Sequence, residues 1–121
     1  TEEDVYAALG LPWIPPELRE DLGEIEAAAH GKLPSLVTRA DLRGDLHVHT
    51  KWSDGTATIE AMAAAARERG LEYIAVSEHS RRLAVAHGLD PVRLVKQRGE
   101  IESMNARLQG ISVLAGIEVD V

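Results

Sequence analysis

No cysteine occurs among the 121 residues, so neither a disulfide framework nor a thiolate metal site is available to this chain. Any metal it holds must be bound by nitrogen and oxygen, a donor set suited to hard or borderline cations such as manganese, zinc, iron or magnesium. Long apolar runs are missing too. Nothing approaches the roughly 20 residues that cross a bilayer, and the start Thr1-Glu2-Glu3-Asp4 lacks the basic and then apolar layout of a secretory leader. Those absences set the expectation of a cytoplasmic protein with no membrane partner. Positive charge is the third scarcity. With 13 Lys and Arg against 20 Asp and Glu, a formal net charge of -7, the chain has little with which to neutralise a nucleic-acid backbone by itself. Divalent cations would reverse the sign locally and present a positive site to one phosphate group.

The residues that are present suffice for a core. At 45% hydrophobic the chain has the apolar material of one small domain. Thr1 reads as an N-cap with Asp4 three residues on, opening a short helix whose stripe of Val5, Ala8 and Leu9 ends at Gly10. Pro12, Pro15 and Pro16 then interrupt regular structure around Trp13 and Ile14. Glu17 to Ala29 reads as helix until Gly31 and Pro34. Residues 1 to about 43 are thus expected to be a helical and extended tail with a linker.

From Gly44 the pattern becomes regular. A strand over Asp45 to Thr50 is followed by a turn and by a helix from N-cap Thr58 through Ala61 to Ala66 as far as Arg69, with Gly70 as its stop. Leu71 to Val76 supplies a second strand, and strand-helix-strand of this length predicts a right-handed βαβ unit. Asp90-Pro91 caps a further helix through Val92, Val95, Met104 and Leu108 to Gly110, and Ile111 to Val119 gives a third strand. The expected class is α/β, with three parallel strands and intervening helices. Three strands do not close a barrel, and Glu118 lies near the last residue. The expectation is a fragment of a longer polypeptide with its third strand left as an edge.

The polar residues at the strand ends carry the chemistry. A strand repeats every two residues, so His47 and His49 leave the same face. Asp54 follows in the turn Ser53-Asp54-Gly55, His79 comes after the run Tyr73 to Val76, and Glu118 falls near the end of the third strand. Each also has a plain structural role to weigh. The two histidines are compatible with a merely exposed strand face. Asp54-Gly55 is first of all turn chemistry, with Gly expected at positive φ. Glu118 in an apolar strand needs a cation, a partner or solvent, because an unpaired buried carboxylate costs several kcal/mol. Arg81 and Arg82 suit a phosphate or a solvated loop, and Trp52 suits stacking on a base or packing beneath the turn. His30 and His87 read as surface or loop residues.

Four ordered motifs together resemble the PHP (polymerase and histidinol phosphatase) family: Gly44-Asp45-Leu46-His47-Val48-His49-Thr50, Trp52-Ser53-Asp54-Gly55, Val76-Ser77-Glu78-His79-Ser80, and Ala115-Gly116-Ile117-Glu118-Val119-Asp120. Thr1 to Arg19 is similar to the C-terminal end of a family X DNA polymerase, and polymerase tail followed by PHP is the order found in bacterial family X polymerases. The resemblance implies three segments: 1–22 as polymerase tail, 23–43 as linker, and 44–121 as the N-terminal half of a metal-dependent phosphoesterase domain. It implies part of a distorted (β/α)7 barrel with up to three divalent metal ions, manganese or zinc, and magnesium for a polymerase domain lying upstream.

In the resemblance His47, His49, Asp54, His79 and Glu118 are metal ligands, and Asp54 and Glu118 also serve catalysis; Arg81, Arg82 and Trp52 are candidates to meet substrate on their own chemistry. The family commonly has Asp where this chain has Glu78. The implied activity is 3′ to 5′ exonuclease or end processing on DNA, beside gap-filling synthesis in repair, by the full-length protein and not by these residues alone. The same motifs serve a small-molecule phosphatase of the histidinol-phosphate type, or a non-catalytic metal-stabilised module. The polymerase-like tail favours the first reading.

Overall fold

The structure is a computed structural model that describes residues 1–120. It divides into two compact units, residues 1–38 and 39–121.

In the first unit α1 (Glu2–Ala8) opens with the expected capping box, in which the Thr1 side chain accepts from Asp4 N–H and the Asp4 side chain returns the contact. Proline prevents the helix from resuming, and Arg19 organises the irregular segment between. Its guanidinium donates to the Ile14 carbonyl at 3.0 and 2.7 Å and to Glu2 at 2.6 Å, and it lies over the rings of Tyr6 and Trp13. Ile14 is buried beneath this arrangement. The single helix expected from Glu17 is instead a 3-10 turn at Pro16–Leu18 and a short α2 (Glu24–Ala29). Asp21 and Gly23 take positive φ, and the Glu24 carboxylate accepts from the Asp21 and Leu22 amides at 3.0 and 2.8 Å. The side chain thereby supplies a turn where the helix ladder would have run.

The second unit is a parallel sheet in the order β1 (Gly44–Val48), β2 (Tyr73–Val76), β3 (Ser112–Ala115). The crossovers are α3 (Ile59–Glu68) and α4 (Pro91–Asn105). This is the expected α/β architecture, three parallel strands with intervening helices. Val48, Ile74, Val76 and Val113 from the sheet pack with Ile59, Ala63, Ala66, Ile101 and Met104 from the helices. Thr58 caps α3 by accepting from Ala61 N–H, Asp90 caps α4 by accepting from Arg93 N–H, and Gly70 stops α3 at φ +81°.

Three expectations need correction. The helix α4 ends at Asn105, not Gly110, because the Asn105 amide turns to β3, donating to Val113 O at 2.7 Å and accepting from Val113 N at 2.9 Å. Its buried face is Gln97, Ile101 and Met104, whereas Val92 and Val95, the apolar residues with which the helix was expected to begin, are 65% and 71% exposed. The strands are shorter than the apolar runs: β1 slips register between Asp45 and Val48, and beyond Ala115 the chain keeps only an isolated bridge between His79 and Glu118. Those unladdered strand ends are where the polar residues gather.

Candidate metal centre

The site is built on the C-terminal ends of the three strands, where a parallel sheet presents its ligand-binding edge. His49 follows β1 directly, and His79 and Glu118 each lie three residues beyond their strands. Backbone bonds fix the second and third segments together: Glu118 N–H donates to Glu78 O and Ser80 N–H to Glu118 O, both at 2.9 Å, while Leu89 N–H donates to His79 O at 2.7 Å. The His79 side chain is thus carried on a backbone held from both sides.

Three imidazole nitrogens surround a single carboxylate oxygen. Glu118 Oε2 lies 3.3 Å from His47 Nε2, 3.1 Å from His49 Nε2 and 3.3 Å from His79 Nδ1. The His47 and His49 rings stack at 5.0 Å, and His79 meets His49 edge-on at 4.5 Å. Despite these short separations, His49 Nε2, His79 Nδ1 and Glu118 Oε2 are buried without a hydrogen bond. They face a common space without satisfying one another, and leaving such an atom unmade costs about 1–3 kcal/mol. A shared cation removes that penalty. An all nitrogen and oxygen donor set with three orphaned atoms therefore fits a divalent metal.

Asp54 sets the orientation of His49. Its Oδ1 lies 2.9 Å from His49 Nδ1, and that hydrogen bond holds the Asp54 carboxyl below the usual carboxylate range. An ionised carboxylate only accepts, so Nδ1 carries the proton and Nε2 is left with a lone pair facing the shared space. The other Asp54 oxygen lies 3.6 Å from His79 Nε2. The donors form three overlapping triads: His47, His49, Glu118; His49, Asp54, His79; and His79, Glu118, Asp120.

All five residues read from the sequence as ligands are thus brought together, and Asp120 joins them. Asp120 Oδ2 is 3.5 Å from His79 Nδ1, and Asp120 is tied to Ser80 by bonds of 3.2 and 3.0 Å. The signal for it was its place two residues after Glu118, the same spacing that relates His47 to His49. Glu78 enters no triad and is buried beside them. Arg81 and Arg82 are exposed on the loop after Ser80. Trp52 is half-buried against the core, its indole N–H donating to Glu100 at 3.2 Å with the Arg93 guanidinium over its ring. The same Arg93 donates to the carbonyls of Trp52, His87 and Gly88, joining the loop of Asp54 to the loop after His79. His30 and His87 are exposed and outside the cluster, as expected.

Gly55 is required for a reason other than the one the turn suggested. It does not take positive φ. A Cβ there would stand 2.5 Å from His49 O and 2.6 Å from Thr50 N, so the glycine allows the Asp54 turn to fold back onto the backbone of His49.

Comparison with known proteins agrees with this geometry. A family model of the PHP domain matches residues 45–121, and one of the DNA polymerase beta thumb matches residues 1–20. The chain belongs to the PHP family, and three overlapping groups of its residues have the donor atoms to hold a metal ion. It is 40% identical over 121 residues to the DNA polymerase/3'-5' exonuclease PolX of Bacillus subtilis (strain 168). That match takes in 100% of this chain and 21% of the relative, so the chain spans about a fifth of the relative's length. The order of thumb and PHP segments is the one the sequence resemblance named for bacterial family X polymerases. No helix among the described residues is long and apolar enough to cross a membrane.

Proposed function

We propose that this chain contributes the first half of a metal-dependent nuclease centre that hydrolyses phosphodiesters at DNA 3′ ends, within a polymerase that also fills gaps during repair. The observation that carries the metal chemistry is the convergence of His47, His49 and His79 on Glu118 Oε2. The DNA substrate is supported by the thumb-like residues 1–20 and by the name of the relative. Residues 1–22 then belong to the end of the polymerase domain, 23–43 to a linker and 44–121 to the nuclease domain, with that upstream domain and DNA as partners in the cytoplasm.

In this reading His47, His49 and Glu118 would hold one cation and His79 with Asp54 a second, with Glu118 belonging to both sets of residues. A divalent ion in such a place supplies Lewis-acid polarisation and neutralises phosphate charge. Manganese or zinc suits the imidazole and carboxylate donors, and magnesium is assigned to the polymerase domain. Asp54 would keep the Nδ1 proton of His49 in place, a role that its lowered pKa favours over taking a proton from the nucleophile. Arg81 and Arg82 offer guanidinium groups to the phosphates flanking the cleaved bond, and Trp52 offers a ring from the turn of the first loop.

The deciding experiment uses the full-length protein with manganese and a 3′-labelled DNA duplex. Hydrolysis from the 3′ end that disappears in Glu118→Gln and in the His47→Ala/His49→Ala pair, with polymerisation retained, supports the reading. Undiminished hydrolysis in those variants removes it. Hydrolysis of small phosphate monoesters alone would favour the histidinol-phosphatase type, and metal uptake without any hydrolysis a structural module.

A further inference from the structure

One acidic side chain lies beside the centre, fully buried and outside every triad. Glu78 is 0% exposed and immediately precedes His79. Its carboxylate is met by donors from two directions. Thr50 N–H stands 3.0 Å from Oε1 and 3.2 Å from Oε2, and the Thr50 hydroxyl donates to Oε1 at 2.5 Å. The Ser53 hydroxyl donates to Oε2, and Gln97 of α4 turns its amide nitrogen to Oε1 at 3.4 Å. No Lys or Arg ion pair reaches Glu78 among the described residues. Gln97 is itself 0% exposed and leaves its own Oε1 without a partner, so its amide is committed to facing Glu78.

These contacts have a direction. Thr50 follows His49 and Ser53 precedes Asp54, so the two residues that grip Glu78 flank the two ligands of the first loop. On its own chain Glu78 is joined to His79, and its carbonyl accepts from Glu118 N–H at 2.9 Å. One residue thus joins the segments that carry four ligands, its carboxylate reaching those of His49 and Asp54 and its backbone those of His79 and Glu118. Removing a carboxylate from water costs several kcal/mol unless donors replace the water, so the arrangement holds only while Thr50 and Ser53 stay where they are.

We propose that Glu78 is the positioning residue of this centre, fixing the His49–Asp54 loop at the spacing from His79 and Glu118 that cations require. The inference rests on the reading of the centre as a metal site, but Glu78 performs its part before any cation arrives. It acts through Thr50 and Ser53 and does not ligate.

The test uses the full-length protein carrying Glu78→Gln, Thr50→Val, the two together, and Glu78→Asp. Two readouts are taken: hydrogen exchange at residues 49–55 in metal-free protein, and manganese affinity by calorimetry with manganese chloride. In Glu78→Gln an NH2 group replaces one accepting oxygen and faces donors. Exchange in the loop is then expected to rise at least about tenfold, and manganese affinity to fall about 10- to 100-fold, the usual cost of losing a partner that orients a ligand. Thr50→Val removes only the hydroxyl bond and should lose a smaller factor, the double variant should lose less than the two losses combined because they share that bond, and Glu78→Asp should recover part of the loss by keeping both accepting oxygens. Parental exchange and affinity in Glu78→Gln would overturn the proposal. So would full manganese affinity with parental loop exchange in both Thr50→Val and Ser53→Ala alongside a loss of affinity in Glu78→Gln, since Glu78 would then act other than through those two residues. If Glu78→Gln does not fold, Ser53→Ala removes one donor only, and unchanged loop exchange there overturns the proposal. A parent protein that binds no manganese would defeat the metal reading instead, while the exchange data would still decide the role of Glu78.

Discussion

Gly55 shows how closely single residues are held at this centre. Adding a methyl group there places it 2.5 Å from His49 O, and because the atoms it meets are backbone, the turn or the strand end must shift to admit it. Gly55→Ala is expected to destabilise the domain by about 1–3 kcal/mol, the usual range for overpacking. It should also weaken manganese binding, because His49 and Asp54 lie on the two sides of the clash. Thermal melting and calorimetric titration of the variant check both effects, and a parental melting temperature would refute the close approach. At this scale the sequence was legible where a residue's chemistry follows from its own periodicity: His47, His49, Asp54, His79 and Glu118 could be read from strand ends and turns. Glu78 was not, because its partners Thr50, Ser53 and Gln97 are distant in sequence and meet it only in the folded core.

At the scale of elements, the polar locks between them decide where helices stop. Asn105 bonds both backbone groups of Val113, so Asn105→Ala leaves one donor and one acceptor of β3 unmatched and is expected to cost about 1–3 kcal/mol. Denaturant unfolding measures it, and a cost near zero would mean that the helix end is set elsewhere. Capping residues such as Thr58 and Asp90 announced the helix starts because caps are local. The end of α4 did not show in the sequence, since it is fixed by a bond to a later strand, and the apolar Val92 and Val95 misled because their spacing alone does not say which face meets the sheet.

The first unit offers a test by pH. Glu2 is drawn from its ordinary value of 4.5 down to about 2, first by the hydrogen bond from Arg19 and then by that from Trp13. A carboxylate whose folded pKa is depressed stabilises above its unfolded pKa and loses that contribution as pH falls through the folded one. The packing of Trp13 is therefore expected to persist at neutral pH and to loosen between about pH 4.5 and 2. Trp13 fluorescence in a Trp52→Phe background reports this, and Glu2→Gln should remove the transition in that window.

For the whole molecule, the parallel order and α/β class were legible because cap, helix and strand succeed one another at short range. Strand lengths were not, since the ladder ends where the chain turns to build the centre. A ligand that binds only the folded state stabilises it by about 2.7 kcal/mol at a hundred times its dissociation constant. Manganese at that excess is accordingly expected to raise the melting temperature of the full-length protein by several degrees, and a chelator to reverse the gain. The His47→Ala/His49→Ala protein should show neither response. An equal rise in that variant would place the stabilising ion somewhere else.

His49, His79 and Glu118 come from segments tens of residues apart and meet on one oxygen. An ion seated among them would therefore act as a cross-link of the folded state, drawing three strands together for as long as it stays bound. A polypeptide with no thiols would in this way carry reversible staples made of coordinate bonds, fastened or released by the supply of metal and not by the redox state around it.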